Sequence, residues 1–296
     1  MTKLKVALEW FINPDHLPII AGIVMQKYQQ AGIEVELIEP KEHYDGFEVL
    51  KQNAIDIHVN EPIHLFEHHF DGIKSLGCFF ETQGGVMVKQ SSIQKLKTNQ
   101  KLKVTTPAAN EVTNKIGFEI IKRYAKKEGF EISQDNVEFV QTDFYHLKHL
   151  KKDEFDMAWL CFYNFEVVEA LHEGFEHLFI DQNASPYANF SALELMSTQD
   201  IIDTKGEALC EFVKVTNEMV VLCKSNPQLA KTLYFEYTQQ EPTVLMEKII
   251  EQTVTRFLNI EVNATKWSNL YEFLKELDLV ELTVQQYDKI WELKGH

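Results

Sequence analysis

The chain has 296 residues, 45% hydrophobic and 25% charged, a globular balance that excludes wholesale disorder and leaves room for two domains. A net charge of -16, from 45 acidic against 29 basic residues, excludes nucleic acid and anionic membrane surfaces as partners, because both demand a basic face. Arginine occurs only as Arg123 and Arg256, which argues against a ligand gripped mainly through a carboxylate or phosphate.

Strand and helix patterns alternate from the start. Leu4–Glu9 reads as a strand, and Leu17–Gln30 as a helix stopped by Gly32. Ile33–Ile38 is a strand, Tyr44–Gln52 a helix, Ile55–Val59 a strand, Pro62–Phe70 helical and Ile73–Phe80 a strand. A second unit repeats the alternation. Its strands are Lys101–Thr105, Val137–Gln141, Phe155–Leu160 and His177–Ile180. Its helices are Glu111–Lys127, ended by Gly129, then Phe144–Leu150 and Asn164–His172. Alternation of this kind predicts an α/β fold with parallel strands and helices on both faces.

Two extended stretches, Gly84–Lys89 and Leu193–Ser197, join the units, and the pattern from Asp200 onward is almost wholly helical. The expected organisation is two-lobed. Residues 1–88 and 193–296 form one lobe, with the C-terminal helices packed on it, and residues 89–192 form the other. The two extended stretches act as crossover strands.

Ligands of open α/β sheets bind at the carboxyl ends of strands. Four such ends are rich in aromatic, amide or carboxylate groups: Trp10–His16, Asn60–His64, Thr106–Glu111 and Cys161–Glu166. From the first come Trp10, Phe11, Asn13, Asp15 and His16 as candidate ligand-binding residues. The second adds Asn60, Glu61 and His64, the third Thr106 and Asn110, and the fourth Tyr163, Asn164 and Glu166. A flat heteroaromatic ring suits this set: aromatic faces stack on it, and amides and carboxylates match its ring nitrogens and amino groups. The helix opening near Asn110 offers backbone amides to a polar substituent.

His64 and His68 are four apart, a spacing that can hold a metal, but the order H-E-x-x-H is absent and no third ligand is specified. No metal and no cofactor are expected. The signatures G-x-S-x-G, G-x-x-x-x-G-K-[ST] and G-x-G-x-x-G are also absent. Cys78, Cys161, Cys210 and Cys223 match no zinc or redox spacing and read as reduced, buried structural thiols.

The run Trp10–His16, followed by Leu17 and Pro18, resembles the opening motif of the thiamine-pyrimidine binding-protein family. That family includes bacterial substrate-binding proteins of ABC transporters for pyrimidine precursors, and the fungal hydroxymethylpyrimidine phosphate synthases. The resemblance covers most of the chain to about residue 200. It implies a two-lobed type II periplasmic-binding-protein fold closing around a pyrimidine-like ligand, with an ABC permease as partner. Asn164-Phe165-Glu166 is similar to the N-F-E string of the bacterial members, which implies that Glu166 hydrogen-bonds an aminopyrimidine edge. Pro186-Tyr187 is a looser counterpart of another ligand loop and adds Tyr187 to the candidates. The fungal synthases use a lysine that binds pyridoxal phosphate and a histidine consumed as substrate. Alignment on Ile55-Asp56-Ile57 puts His64 at that histidine and Asn60 at that lysine. Asn60 cannot form a Schiff base, and the synthases' cysteine-rich motif is missing. The resemblance therefore implies a non-catalytic binding protein, with a synthase-like enzyme or a cytosolic sensor as alternatives. Met1–Leu8 lacks the apolar stretch of a signal peptide, and no window reaches the ~18 apolar residues of a membrane span. A cytoplasmic location without direct membrane insertion is expected, or an extracytoplasmic one if a leader has been removed.

Overall fold

The computed structural model describes residues 1–40 and 45–293. The strands are β1 (Thr2–Ala7), β2 (Ile33–Ile38), β3 (Ile57–Asn60), β4 (Ile73–Glu81), β5 (Gly84–Lys89), β6 (Leu102–Thr106), β7 (Val137–Gln141), β8 (Met157–Phe162), β9 (His177–Ile180) and β10 (Ala192–Thr198). The helices to Ser225 are α1 (Leu17–Val24), α2 (Lys27–Gln30), α3 (Gly46–Lys51), α4 (Ile63–Glu67), α5 (Ile93–Lys97), α6 (Glu111–Lys127), α7 (His146–Leu150), α8 (Val168–His172) and α9 (Gln199–Ser225). Then follow α10 (Pro227–Thr238), α11 (Val244–Val254), α12 (Ser268–Glu276) and α13 (Val284–Trp291).

Two compact units result. One comprises the described residues of Met1–Glu81, Ala192–Glu272 and Val280–His296; the other comprises Thr82–Ser191 and Phe273–Leu279. The first sheet runs β2-β1-β3-β10-β4 and the second β7-β6-β8-β5-β9. In each, three strands pair in parallel and the next, β10 or β5, runs antiparallel to both its neighbours. Strands buried on both faces read as unbroken apolar runs. Val86, Met87 and Val88 of β5 and Phe79 and Phe80 of β4 are such cases.

The two sheets also share a device. Asp56, just before β3, donates its amide to the Lys5 carbonyl at 2.9 Å, and its carboxylate accepts the Lys5 amide at 2.8 Å and Lys205 Nζ at 2.7 Å. Asp156, just before β8, donates to the Lys103 carbonyl at 2.9 Å. Its carboxylate accepts the Lys103 amide at 3.1 Å and Lys95 Nζ at 2.8 Å. Each aspartate thus pins the third strand to the first through both backbone groups of one lysine.

Several boundaries differ from the sequence expectation, for physical reasons. The helix expected over Leu17–Gln30 breaks, with Gln26 left-handed at φ 54°. The break folds Tyr28 back over Gly22, where a Cβ would lie 2.4 Å from the tyrosine ring. Tyr28 then stacks on Phe212 and shares a 2.7 Å hydrogen bond with Thr216, so α9 packing overrides local helix propensity. The strand expected over Leu4–Glu9 ends at Ala7, which releases Glu9 into the following turn. That over Phe155–Leu160 shifts to Met157–Phe162, with Leu160 bulged at φ 63°. The helix expected from Asn164 opens as a wide π turn over Tyr163–Val167. The expected helix start at Tyr44 lies outside the described residues. Cys78, Cys161 and Cys223 are buried as expected, but Cys210 is exposed on α9.

Candidate functional site

In the first unit, the turn after β1 is held by its own polar side chains. Asn13 Oδ1 accepts the Asp15 amide at 2.9 Å, and Asn13 Nδ2 donates to the Phe11 carbonyl at 3.1 Å. His16, fully enclosed, presents Nδ1 to the Asn13 amide at 3.3 Å and Nε2 to the Glu9 carboxylate at 3.0 Å. Burial opposes a charge on His16, but Glu9 favours one and prevails, so its pKa is raised. The Ile12 amide donates to Glu39 at 2.9 Å. This scaffold leaves Trp10 39% and Phe11 55% exposed, with ring centroids 5.5 Å apart. Exposed aromatics held on a tied-down turn form a stacking surface.

The end of β3 is organised by a relay. His58 Nδ1 donates to the Ala7 carbonyl at 3.2 Å, so Nε2 is free to accept Asn60 Nδ2 at 3.0 Å. Asn60 Oδ1 in turn accepts the Glu61 amide at 2.8 Å. Burial pushes the His58 pKa down to about 4, keeping the ring neutral as the relay requires. Burial also pushes Glu61 up to about 7, and the negative charges of Glu9 and Glu67 add to this against the pull of His64. Glu61 is therefore more readily protonated than an ordinary carboxylate. His64 Nδ1 pairs with Glu67 at 2.8 Å, and His64 Nε2 faces Glu61 at 3.9 Å. Burial works against charge on His64, yet Glu67 and Glu61 outweigh it and raise its pKa. Phe47 closes this side, edge-on to His58 and stacked on His68 at 4.9 Å.

The candidates thus divide by role. Trp10, Phe11, Glu61 and His64 present accessible groups. Asn13, His16 and Asn60 are scaffold, their side chains committed to the local backbone or to Glu9 and His58; Asp15 is half-buried in the same turn. Glu9, Phe47, His58, Glu67 and His68 belong to the arrangement and were not singled out from sequence as ligand contacts. Glu9 hid inside an expected strand. The reversed order H-x-x-E-H at His64–His68 was legible all along, but a search for H-E-x-x-H passes over it.

In the second unit, Thr106 is buried at the end of β6, and Asn110 is exposed and caps α6 by accepting the Thr113 amide at 2.9 Å. This cap occupies the Thr113 amide, one of the backbone amides near the helix opening that the sequence reading offered to a ligand. Glu166 and Asn164 are buried in the π turn, and Glu166 accepts the Phe162 amide at 2.7 Å. Tyr163 is half-buried, 6.5 Å from the Phe179 ring. Tyr187 is buried and donates its hydroxyl to the Gly84 carbonyl, so it ties down the start of β5. A cavity of about 750 Å³ lies elsewhere, along α9 in the first unit, and shares no residue with either set.

Residues 13–230 match the family described as NMT1/THI5 like. The chain belongs to the NMT1/THI5-like family. Among relatives of this NMT1/THI5-like protein is one of Legionella pneumophila named 4-amino-5-hydroxymethyl-2-methylpyrimidine phosphate synthase. It is 23% identical over 288 residues, covering 95% of this chain and 88% of the relative. A Haemophilus influenzae protein named for thiamine biosynthesis is 21% identical, covering 96% of this chain and 91% of its own. Among solved structures, the periplasmic aliphatic sulphonate binding protein SsuA of Escherichia coli superposes with a TM-score of 0.70 at 13% identity, covering 98% of both chains. That likeness establishes the periplasmic-binding-protein fold for this NMT1/THI5-like chain. Among the described residues no helix is long and apolar enough to cross a membrane.

Proposed function

We propose that this protein binds a neutral or cationic aminopyrimidine of the thiamine-precursor type, and binds it without transforming it. The observation that carries this reading is the charge of the first unit's strand ends. Residues 8–16 and 60–68 include Glu9, Asp15, Glu61 and Glu67 and no lysine or arginine. Such a surface repels a sulfonate, the ligand class in the name of the E. coli neighbour, and attracts amino groups and protonated ring nitrogens. Trp10 and Phe11 supply the stacking face. Glu61, poised near neutrality, can accept a hydrogen bond from an exocyclic amine or share a proton with a ring nitrogen. The thiamine-related names of the two relatives agree with this ligand class.

The enzyme reading draws on the Legionella relative's name and on His64. Against it, Asn60 offers a carboxamide where a Schiff-base lysine would stand, and that carboxamide is spent on His58 and the Glu61 amide. Binding followed by release fits an importer component working with an ABC permease; a cytosolic sensor would use the same groups.

Calorimetric titration with 4-amino-5-hydroxymethyl-2-methylpyrimidine should show micromolar or tighter binding, and methanesulfonate none. Glu61→Gln should weaken binding about tenfold or more, matching the ~1–3 kcal/mol cost of an unmet buried polar group. Sulfonate binding without aminopyrimidine binding would sink the ligand assignment. An imine absorbance on adding pyridoxal phosphate would sink the non-catalytic one.

A further inference from the structure

The reversed motif at the end of β3 has a geometry that ligand recognition does not explain. His64, Glu67 and His68 each offer a ligand atom, and these atoms all lie within 4.8 Å of one another. They come from a single short stretch: α4 supplies His64 and Glu67, and His68 caps it. In a tetrahedral site with bonds of about 2.0–2.1 Å, ligand atoms sit about 3.4 Å apart. His64 Nδ1 and Glu67 Oε2, at 2.8 Å, are already closer than that. His68 is exposed, stands just past the last helical residue and stacks on Phe47, so it is the ring that must turn to close the triad.

A second observation points the same way. With Nδ1 directed into the cluster, His64 turns Nε2 toward the Glu61 carboxylate at 3.9 Å. A histidine metal ligand ordinarily donates its other ring N–H to a carboxylate, which fixes its orientation. Glu61 lies on that side of the ring, beyond hydrogen-bond range at 3.9 Å but a small side-chain movement from it.

We infer that His64, Glu67 and His68 form a binding site for a divalent transition metal of the zinc class, with Glu61 orienting His64 from behind. Two imidazoles and one carboxylate match zinc and its neighbours; calcium and magnesium call for oxygen-rich sets. Three protein ligands leave a fourth position open to water or to a ligand's donor atom. This site does not depend on the aminopyrimidine reading, because each binding event can be measured in the absence of the other.

The test uses the full chain, stripped with chelator and titrated with zinc chloride, then with cobalt(II) as a spectroscopic substitute. One equivalent of zinc should bind, and cobalt should give the visible absorption of a four-coordinate nitrogen–oxygen site. His68→Ala and Glu67→Gln should each weaken zinc binding tenfold or more and abolish the cobalt band, with unchanged far-UV circular dichroism. His69→Ala, the neighbouring histidine outside the cluster, should leave both signals intact. Absence of zinc binding, or zinc binding that survives both His68→Ala and Glu67→Gln, would overturn the inference. Aminopyrimidine binding measured on the same His68→Ala protein separates failure of this site from failure of the ligand reading.

Discussion

Glu194 sits inside the first sheet, fully enclosed, with its carboxylate accepting from Ser75 Oγ and from Trp267 Nε1 at 3.0 Å. Burial pushes its pKa to about 7, and the two donors and Lys266 only partly offset this. The folded protein therefore holds a proton near neutrality that the unfolded chain, titrating near 4.5, has already released. Stability contributed by this group is complete below about pH 4.5 and falls as pH rises through 7. Glu194→Gln keeps an uncharged side chain at every pH and should remove that fall. Its advantage in unfolding free energy over the parent, read from urea denaturation, should grow from pH 5 to pH 8, reaching the order of 3 kcal/mol. A difference that stays constant over this range would show that Glu194 does not titrate there. Glu194 gave no signal in the sequence, since an acidic residue in an extended run reads as solvent-facing. At the candidate site, residue type was legible but role was not. Asn13 and Asn60 look like ligand contacts at strand ends, yet short polar side chains there satisfy their own backbone first. Trp10 and Phe11 remain partly exposed on the same turn.

At the scale of the element, the aspartate before β3 offers a sharp test. Asp56→Ala leaves the Lys5 amide without its acceptor and Lys205 without its carboxylate. Loss of about 2 kcal/mol is expected, from an unpaired strand amide and from an ion pair whose lysine is 36% exposed and therefore partly screened by water. Urea denaturation would measure it, and a change below about 1 kcal/mol would show that the strand pairing needs no such clamp. The strands and most helices were legible because apolar period and glycine stops set them locally. What escaped was set by contacts distant in sequence. Tyr28 breaks its helix to reach Phe212 and Thr216 on α9. The bulge at Leu160 is fixed by pairing with Gly85 and Val86 on β5, a partner that local sequence cannot reveal.

For the whole molecule, the net charge of -16 dominates. Uncompensated like charge destabilises a compact state, and salt screens it over about 10 Å at 0.1 M. Raising sodium chloride from 10 to 200 mM should raise the melting temperature by a few degrees; a fall would mean that specific ion pairs outweigh the self-repulsion.

The strand order of the first sheet has a further consequence, in the time in which the chain is made. β10 lies between β3 and β4, so β4 joins its sheet only through a strand that begins at Ala192. All five strands of the second sheet fall between Gly84 and Ile180. A chain emerging from the ribosome amino end first therefore presents the second sheet complete while the first still lacks its joining strand. The unit that starts first is the one that must finish last, and until then the largely apolar β4 waits as an unpaired edge.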